Sequence, residues 1–293
     1  MNRTLFVFGL GLSATTLARR LMAQGWRVGG TVRTQEKAER LAGEGIAAVT
    51  FDGTAPGDDV AAALEGATHV LQSIRPGEDG DPVLVHHGAD LAARADTIRW
   101  LGYLSTVGVY GDHGGGWIDE TAPTAPVSKR NALRVEAERD WLAFGEETGI
   151  PVMLFRIAGI YGPGRNALKT LKAGKARRLV KPGQVFNRIH ANDIAGVLEA
   201  SIAKPRAGGI YNLADDEPAP PQDVIAYAAQ KLGVEPPPEV DFETADITPM
   251  ARSFYSANRR VRNDRIKDEL GVELEFPDYR AGIDALHAAG EGT

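Results

Sequence analysis

Leu5-Phe6-Val7-Phe8-Gly9-Leu10-Gly11-Leu12-Ser13-Ala14 is an unbroken apolar run that gives way to a glycine-rich turn. The apolar run predicts a short buried strand. Ser13 to Gln24 follows with Leu17, Leu21 and Met22 along one side, the period of a helix. Between the two, Gly9, Gly11 and Ala14 fit the spacing G-x-G-x-x-[GA]. Each small residue has a physical task. Gly9 permits the tight turn, Gly11 lets an anion reach the backbone, and Ala14 keeps helix and strand close. The helix start around Leu12 and Ser13 then offers free N–H groups and a positive dipole end. The turn is therefore predicted to hold the pyrophosphate of a dinucleotide.

The pattern continues outward from this turn. Strands are predicted over residues 27–33, 47–51, 69–73 and 99–105, with helices over 35–41, 58–64 and 82–95 between them. A helix over 128–147, with Leu133, Ala137, Trp141 and Phe144 on one stripe, leads to a further strand over 151–157. Strand and helix alternating at this spacing imply parallel strands with crossover helices. The fold class predicted is α/β, a doubly wound parallel Rossmann sheet whose strand C-termini line the ligand edge. The strand over 151–157 argues against a hydroxyacid-type dehydrogenase, in which a largely helical domain would follow. Beyond it the alternation blurs, and prolines cluster at 218–221 and 236–238. We divide the chain into a dinucleotide-binding domain over 1–165 and a smaller C-terminal α/β region over 166–293, which covers the substrate and is interleaved with the core.

Composition narrows the function classes. A formal charge of −6 on 293 residues gives no electrostatic reason to bind nucleic acid. There is no cysteine, which removes disulfides, thiolate metal sites and thiol nucleophiles, and no metal site is predicted. No apolar stretch is long enough to cross a membrane, and the N-terminal apolar run is too short and glycine-broken for a secretory signal. We expect a cytoplasmic protein without a membrane partner. One basic run, Lys169 to Lys181, is either a solvated surface helix or the anion-binding edge of a substrate site.

Strand two ends Thr31-Val32-Arg33-Thr34. An acidic residue here would hold the ribose 2′-hydroxyl of NAD, whereas Arg33 can pair with a 2′-phosphate. The cofactor expected is NADP, with NAD left open. Asp52, at the end of strand three, is placed either at the adenine or in a turn of its own.

Four later segments carry further information. They are Ser105-Thr106-Val107-Gly108-Val109-Tyr110-Gly111, Arg156-Ile157-Ala158-Gly159-Ile160-Tyr161-Gly162-Pro163-Gly164, Asn187-Arg188-Ile189-His190-Ala191-Asn192-Asp193-Ile194-Ala195 and Tyr211-Asn212-Leu213-Ala214-Asp215-Asp216-Glu217. In this order and spacing they resemble the extended short-chain dehydrogenase/reductase family, the NAD-dependent epimerase/dehydratases of nucleotide sugars, from the first strand to about residue 285. The resemblance implies one integrated fold and reversible hydride transfer. It also implies a Tyr-x-x-x-Lys pair as acid/base and a Ser or Thr, here Thr106, that orients the substrate. Pairing through the helices after strands four and five into a homodimer is a further implication.

The chain departs from that pattern. In the register set by Glu138, Arg130 stands at the Tyr position and Arg134 at the Lys position. An arginine cannot serve as acid/base. This departure, with the shortened glycine fingerprint, is similar to the family's atypical branch. Arg130, Arg134 and Glu138 form either a solvated ion-pair row or a clamp on an anionic group of cofactor or substrate. Tyr110 is the foremost substitute proton donor, ahead of His113, Tyr161 and His190. Asp193 is expected to cap a helix beginning at Ile194. Arg252, Arg259, Arg260 and Arg262 hint at an anionic substrate group. Two functions follow. One is an NAD(P)-dependent oxidoreductase or epimerase/dehydratase-like protein acting on a small polar, nucleotide-sugar-like substrate. The other is a non-catalytic NAD(P)-binding sensor or scaffold.

Overall fold

The computed structural model describes residues 3–292. The first half contains β1 Thr4–Phe8, α1 Leu12–Ala23, β2 Arg27–Val32, α2 Gln35–Gly43, β3 Ala47–Thr50, α3 Val60–Ala63, β4 His69–Gln72, α4 Pro82–Ala92, β5 Trp100–Thr106, β6 Trp117–Ile118, α5 Lys129–Thr148 and β7 Val152–Ile157. The second half contains β8 Gly159–Tyr161, α6 Ala167–Lys172, β9 Arg178–Val180, β10 Arg188–His190, α7 Ala191–Ala203, β11 Gly209–Leu213, α8 Pro221–Leu232, β12 Glu239–Asp241, α9 Pro249–Ser253, β13 Arg260–Val261, α10 Asp264–Asp268 and α11 Tyr279–Ala288. A single 3₁₀ turn, Val107–Tyr110, follows β5 directly. No helix among the described residues is long and apolar enough to cross a membrane.

Seven strands form the central sheet in the order β11-β7-β5-β4-β1-β2-β3. Every neighbouring pair in it is parallel. The order turns back between β1 and β4, which is where such sheets open a crevice for a ligand. β1 explains the two-sided core. Leu5 and Val7 face α1 and α7, packing with Leu17, Leu21, Val197 and Leu198. Phe6 and Phe8 face α3, α4 and α5, packing with Val60, Val83, Leu91 and Trp141. A strand buried on both faces has no polar position to alternate with, so its sequence is a continuous apolar run.

The C-terminal half is threaded through this core. Its β11 completes the sheet beside β7, and its α7 covers one face alongside α1. A small lobe is built from α6, α8 and α11 around Leu168, Val224, Ala228, Ile283 and Leu286. A cap is built on the β9–β12 pair around Leu179, Phe242, Ala245 and Tyr255. The basic run is not one surface helix. α6 ends at Lys172, Arg178 to Val180 is a strand, and Lys181 donates to the Tyr255 carbonyl at 2.7 Å.

Asp193 does not cap a helix. α7 begins at Ala191, and His190 is its cap, with Nδ1 accepting from the Asn192 N–H at 3.2 Å. Asp193 lies inside the first turn and accepts the N–H groups of Glu275 and Phe276 at 2.7 and 3.2 Å. It thus ties the C-terminal segment to α7, and burial pushes its carboxyl up to about 6.

Candidate functional site

The phosphate turn is held from three directions. The Gly9 N–H donates to the Thr31 hydroxyl at 3.0 Å, and the Leu10 N–H donates to the Thr31 carbonyl at 3.0 Å. The Ser73 hydroxyl, just past β4, donates to the Gly9 carbonyl at 2.6 Å. Gly9 has φ +88°, and a Cβ there would stand 2.9 Å from the Ile74 side chain, so both backbone and space require glycine. Gly11 differs. It caps α1 with no side-chain hydrogen bond, and nothing lies within 4 Å of where its Cβ would be. The first turn of α1 contains no acidic residue. Leu12, Ser13 and Ala14 are therefore first-turn residues whose N–H groups have no acceptor within the helix. Ala14 is buried against the sheet. The open space at Gly11 in front of these N–H groups fits a pyrophosphate.

Arg33 is exposed at the end of β2, directly before Thr34, the cap of α2. The structure adds a residue that the sequence reading missed. Lys37, one turn on in α2, donates to the Leu10 carbonyl at 2.7 Å. Burial lowers its ammonium pKa, and the charges of Arg40 and Arg33 lower it further. Its signal in the sequence was a second cation in the first turn of α2, closely following Arg33. Asp52 is committed to its own turn, accepting the Thr54 N–H at 2.9 Å and the Thr54 hydroxyl at 2.7 Å. These bonds hold its carboxyl below the usual range.

At the end of β5, Thr106 is half-buried and its hydroxyl accepts the Gly108 N–H at 3.1 Å, so its own proton is free to donate elsewhere. Tyr110 is not at this edge. Its side chain is fully buried, its hydroxyl donates to the Asn212 side chain at 2.7 Å, and the Arg156 guanidinium lies 4.8 Å over its ring. Burial pushes its hydroxyl pKa up. Tyr110 is a core residue, which removes it as a proton donor. Its place one 3₁₀ turn past β5 folds it back between β7 and β11.

The ion-pair row on α5 is also corrected. Glu138 is buried and forms a two-pronged pair with Arg156 of β7, closest at 2.7 Å, while Ser105 donates to the same carboxylate. Arg134 turns away, donating to the Leu104 carbonyl at 2.6 Å and to the Tyr103 hydroxyl at 3.2 Å. Arg130 is exposed, with its guanidinium 5.1 Å over the ring of Phe254 in the cap.

The remaining donor candidates are occupied. His113 Nε2 is 3.1 Å from the Tyr110 carbonyl. Tyr161 donates to the Asp278 carbonyl at 3.3 Å, and burial drives its pKa up. His190 is buried and its pKa is pushed down to about 4, so it is neutral. The cap arginines are bound too. Arg259 and Arg260 donate to the carbonyls of Gly111 and Gly115, Arg252 donates to that of Ala245, and Arg262 lies over Trp117.

A parallel sheet in this order, with a phosphate-ready helix start at its switch point, defines a nicotinamide-dinucleotide protein of the short-chain dehydrogenase/reductase class. Arg130 and Arg134 in place of the usual pair set it in that class's atypical branch. The chain belongs to the NAD dependent epimerase/dehydratase family, whose sequence model matches residues 6–214. It is 30% identical over 282 residues to Protein YeeZ of Escherichia coli (strain K12), covering 93% of this chain and 96% of that one. It is 28% identical over 308 residues to a 3-diazoavenalumate denitrifying reductase of a Streptomyces species, covering 96% and 99%. A functionally unknown conserved protein from Silicibacter pomeroyi DSS has a solved structure that superposes with a TM-score of 0.91, at 52% identity and 99% coverage of both chains.

Proposed function

We propose that the protein is an NAD(P)-dependent oxidoreductase that prefers NADP and acts on a small polar substrate without a Tyr/Lys acid–base pair. One observation carries this reading: the uncapped, acid-free start of α1 opens onto Gly11, while Arg33 and Lys37 stand together at the far end of the same turn. A nicotinamide, when bound, supplies a hydride equivalent. The chain's own residues bind and orient. The N–H groups of the first α1 turn hold the pyrophosphate, Arg33 meets a 2′-phosphate, and Thr106 orients a polar group of the substrate with its free hydroxyl proton. A guanidinium at the position of the usual tyrosine offers no acid/base group. The site therefore suits a reduction whose proton comes from water or is not needed. The name of the Streptomyces relative, a denitrifying reductase, supports reduction over epimerisation. The lack of cysteine supports a reducing compartment, and we place the protein in the cytoplasm, as a homodimer through α4 and α5.

The test is a titration of the pure protein with NADPH and NADH by fluorescence, followed by a substrate panel monitored through NADPH oxidation. Tighter NADPH binding and a turnover that Thr106→Ala lowers are expected. NADH binding as tight as NADPH overturns the NADP preference.

A second reading, a cofactor-binding sensor or scaffold, is favoured by Arg134. It stands at the Lys position yet spends its guanidinium on the Leu104 carbonyl and Tyr103. Tight NADPH binding with no turnover across the panel would select it.

A further inference from the structure

The peptide unit between Leu10 and Gly11 is the joint of the phosphate turn. On its strand side, the Leu10 N–H is bound to the Thr31 carbonyl and the Gly9 carbonyl to the Ser73 hydroxyl. On its helix side, the Gly11 carbonyl accepts the Thr15 N–H at 2.8 Å and the Thr15 hydroxyl at 2.7 Å, so it is already tied into α1. The joint itself carries two bonds. The Gly11 N–H donates to the Gly9 carbonyl at 2.8 Å, and the Leu10 carbonyl accepts from the Lys37 ammonium at 2.7 Å. The first only closes a tight three-residue turn. The second reaches across from α2, and it is the one side-chain bond on this unit among the described residues.

This joint needs an external hold. A peptide unit turns over by changing ψ of the residue before it and φ of the residue after it. The residue after it is Gly11, and glycine accepts either sign of φ. Gly11 now has φ −86°, and nothing lies within 4 Å of where its Cβ would be. Neither stereochemistry nor a side chain at Gly11 therefore fixes the plane. Turned over, the unit would exchange the directions of the Leu10 carbonyl and the Gly11 N–H. The N–H groups of Leu12, Ser13 and Ala14 begin at the next residue, and they would lose their alignment for an anion.

Lys37 is placed to supply that hold. Of Arg33, Lys37 and Arg40, both arginines are exposed and only Lys37 is half-buried. Burial and the charges of Arg40 and Arg33 all work against its ammonium. Its bond to the Leu10 carbonyl is a compensating contact that opposes them.

We propose that Lys37 is a positioning residue for the dinucleotide: it locks the Leu10–Gly11 peptide unit from α2 and so sets the affinity of the turn for a pyrophosphate, with or without a phosphate on the ribose. This rests on the reading of the turn as the pyrophosphate site. It leaves recognition of the 2′-phosphate to Arg33 and withholds it from Lys37.

The test is a fluorescence titration of the full chain and of Lys37→Met with NADPH and NADH at high salt, where the mere loss of a surface charge is screened. Adenosine 2′-monophosphate, which has the 2′-phosphate and no pyrophosphate, is titrated into the same proteins by calorimetry. Lys37→Met is expected to weaken NADPH and NADH by one common factor of about ten, and to leave adenosine 2′-monophosphate within about twofold of wild type. Arg40→Gln, which removes a neighbouring charge, is expected to leave all three affinities within about twofold. If Lys37→Met weakens NADPH and adenosine 2′-monophosphate but spares NADH, Lys37 is a ligand of the 2′-phosphate and the proposal falls. Equal loss of all three ligands would mark a general loosening and also overturns it. Wild type that binds both cofactors beside a Lys37→Met that binds them as well overturns the proposal alone and leaves the dinucleotide reading standing. Wild type that binds neither cofactor overturns both.

Discussion

Glu138 and Arg156 are both nearly inaccessible, and each would be costly without the other. Removing one partner of such a pair strands a charge in the interior. Glu138→Gln is therefore expected to destabilise the fold by about 3–5 kcal/mol in urea denaturation. A result within about 1 kcal/mol of wild type would mean that Arg156 reaches solvent. Asp215 is a different case. It is buried, neither carboxylate oxygen has a partner of good hydrogen-bonding geometry, and burial pushes its pKa up to about 8. In the unfolded chain it ionises near the ordinary carboxylate value of about 3.9. Its raised folded pKa makes its stabilising contribution full below about pH 4, and that contribution is lost as pH rises to about 8. Asp215→Asn should flatten the fall of the unfolding midpoint across that window, and an unaltered slope would rule Asp215 out as its source. At the ribose end, Arg33→Ala should weaken NADPH binding roughly tenfold with little change for NADH, the loss of one charge-assisted contact. The exposed position of Arg33 directly after β2 was legible from the strand pattern alone. Glu138 and Arg156 were not, because the pair joins a helix to a strand and helical spacing points only along α5.

Among the elements, α1 and its preceding turn separate two kinds of glycine. Gly11 has φ −86°, which any residue adopts, and open space beyond it. Gly11→Val should leave the thermal midpoint within about 2 °C of wild type while abolishing dinucleotide binding, since the added side chain would fill only the cradle. Strong NADPH binding by that variant would place the pyrophosphate elsewhere. The sheet strands and the helices up to β7 were readable from periodicity because each is a buried run or a one-sided stripe bounded by turns, whereas the two-residue β6 is too short to carry a period. The start of α7 was misplaced because the sequence offers two capping residues close together. His190, with Nδ1 aimed at the helix start, takes the role, and the acidic Asp193 is recruited by a segment 82 positions away. Tyr110 failed as a site residue for a related reason: a 3₁₀ turn after β5 reverses the direction that a simple loop would give it.

The molecule as a whole is not two bodies joined at residue 165. Leu17 and Leu21 of α1 pack with Val197 and Leu198 of α7, and β7 is covered on its outer edge by β11. A fragment ending at residue 165 would leave that face of the sheet and that strand edge bare, and it should be recovered as an aggregate or a protease-sensitive collapsed state. A soluble, cooperatively unfolding fragment would contradict this. The sheet order was legible in outline because parallel strands require crossovers. Its last strand was hidden because residues 209–213 lie beyond two excursions that build β8 to β10 and α6 before the chain returns.

That late return bears on how the protein is made. A ribosome releases β7 well before β11, so the nascent chain carries a parallel strand with one open edge while the residues between them are still being added. Parallel pairing over such a separation is slow, and an open edge invites pairing with other chains. Synthesis of this protein therefore has a vulnerable interval that ends only when residues 209–213 clear the exit tunnel, and a chaperone that shields exposed strands would act within it.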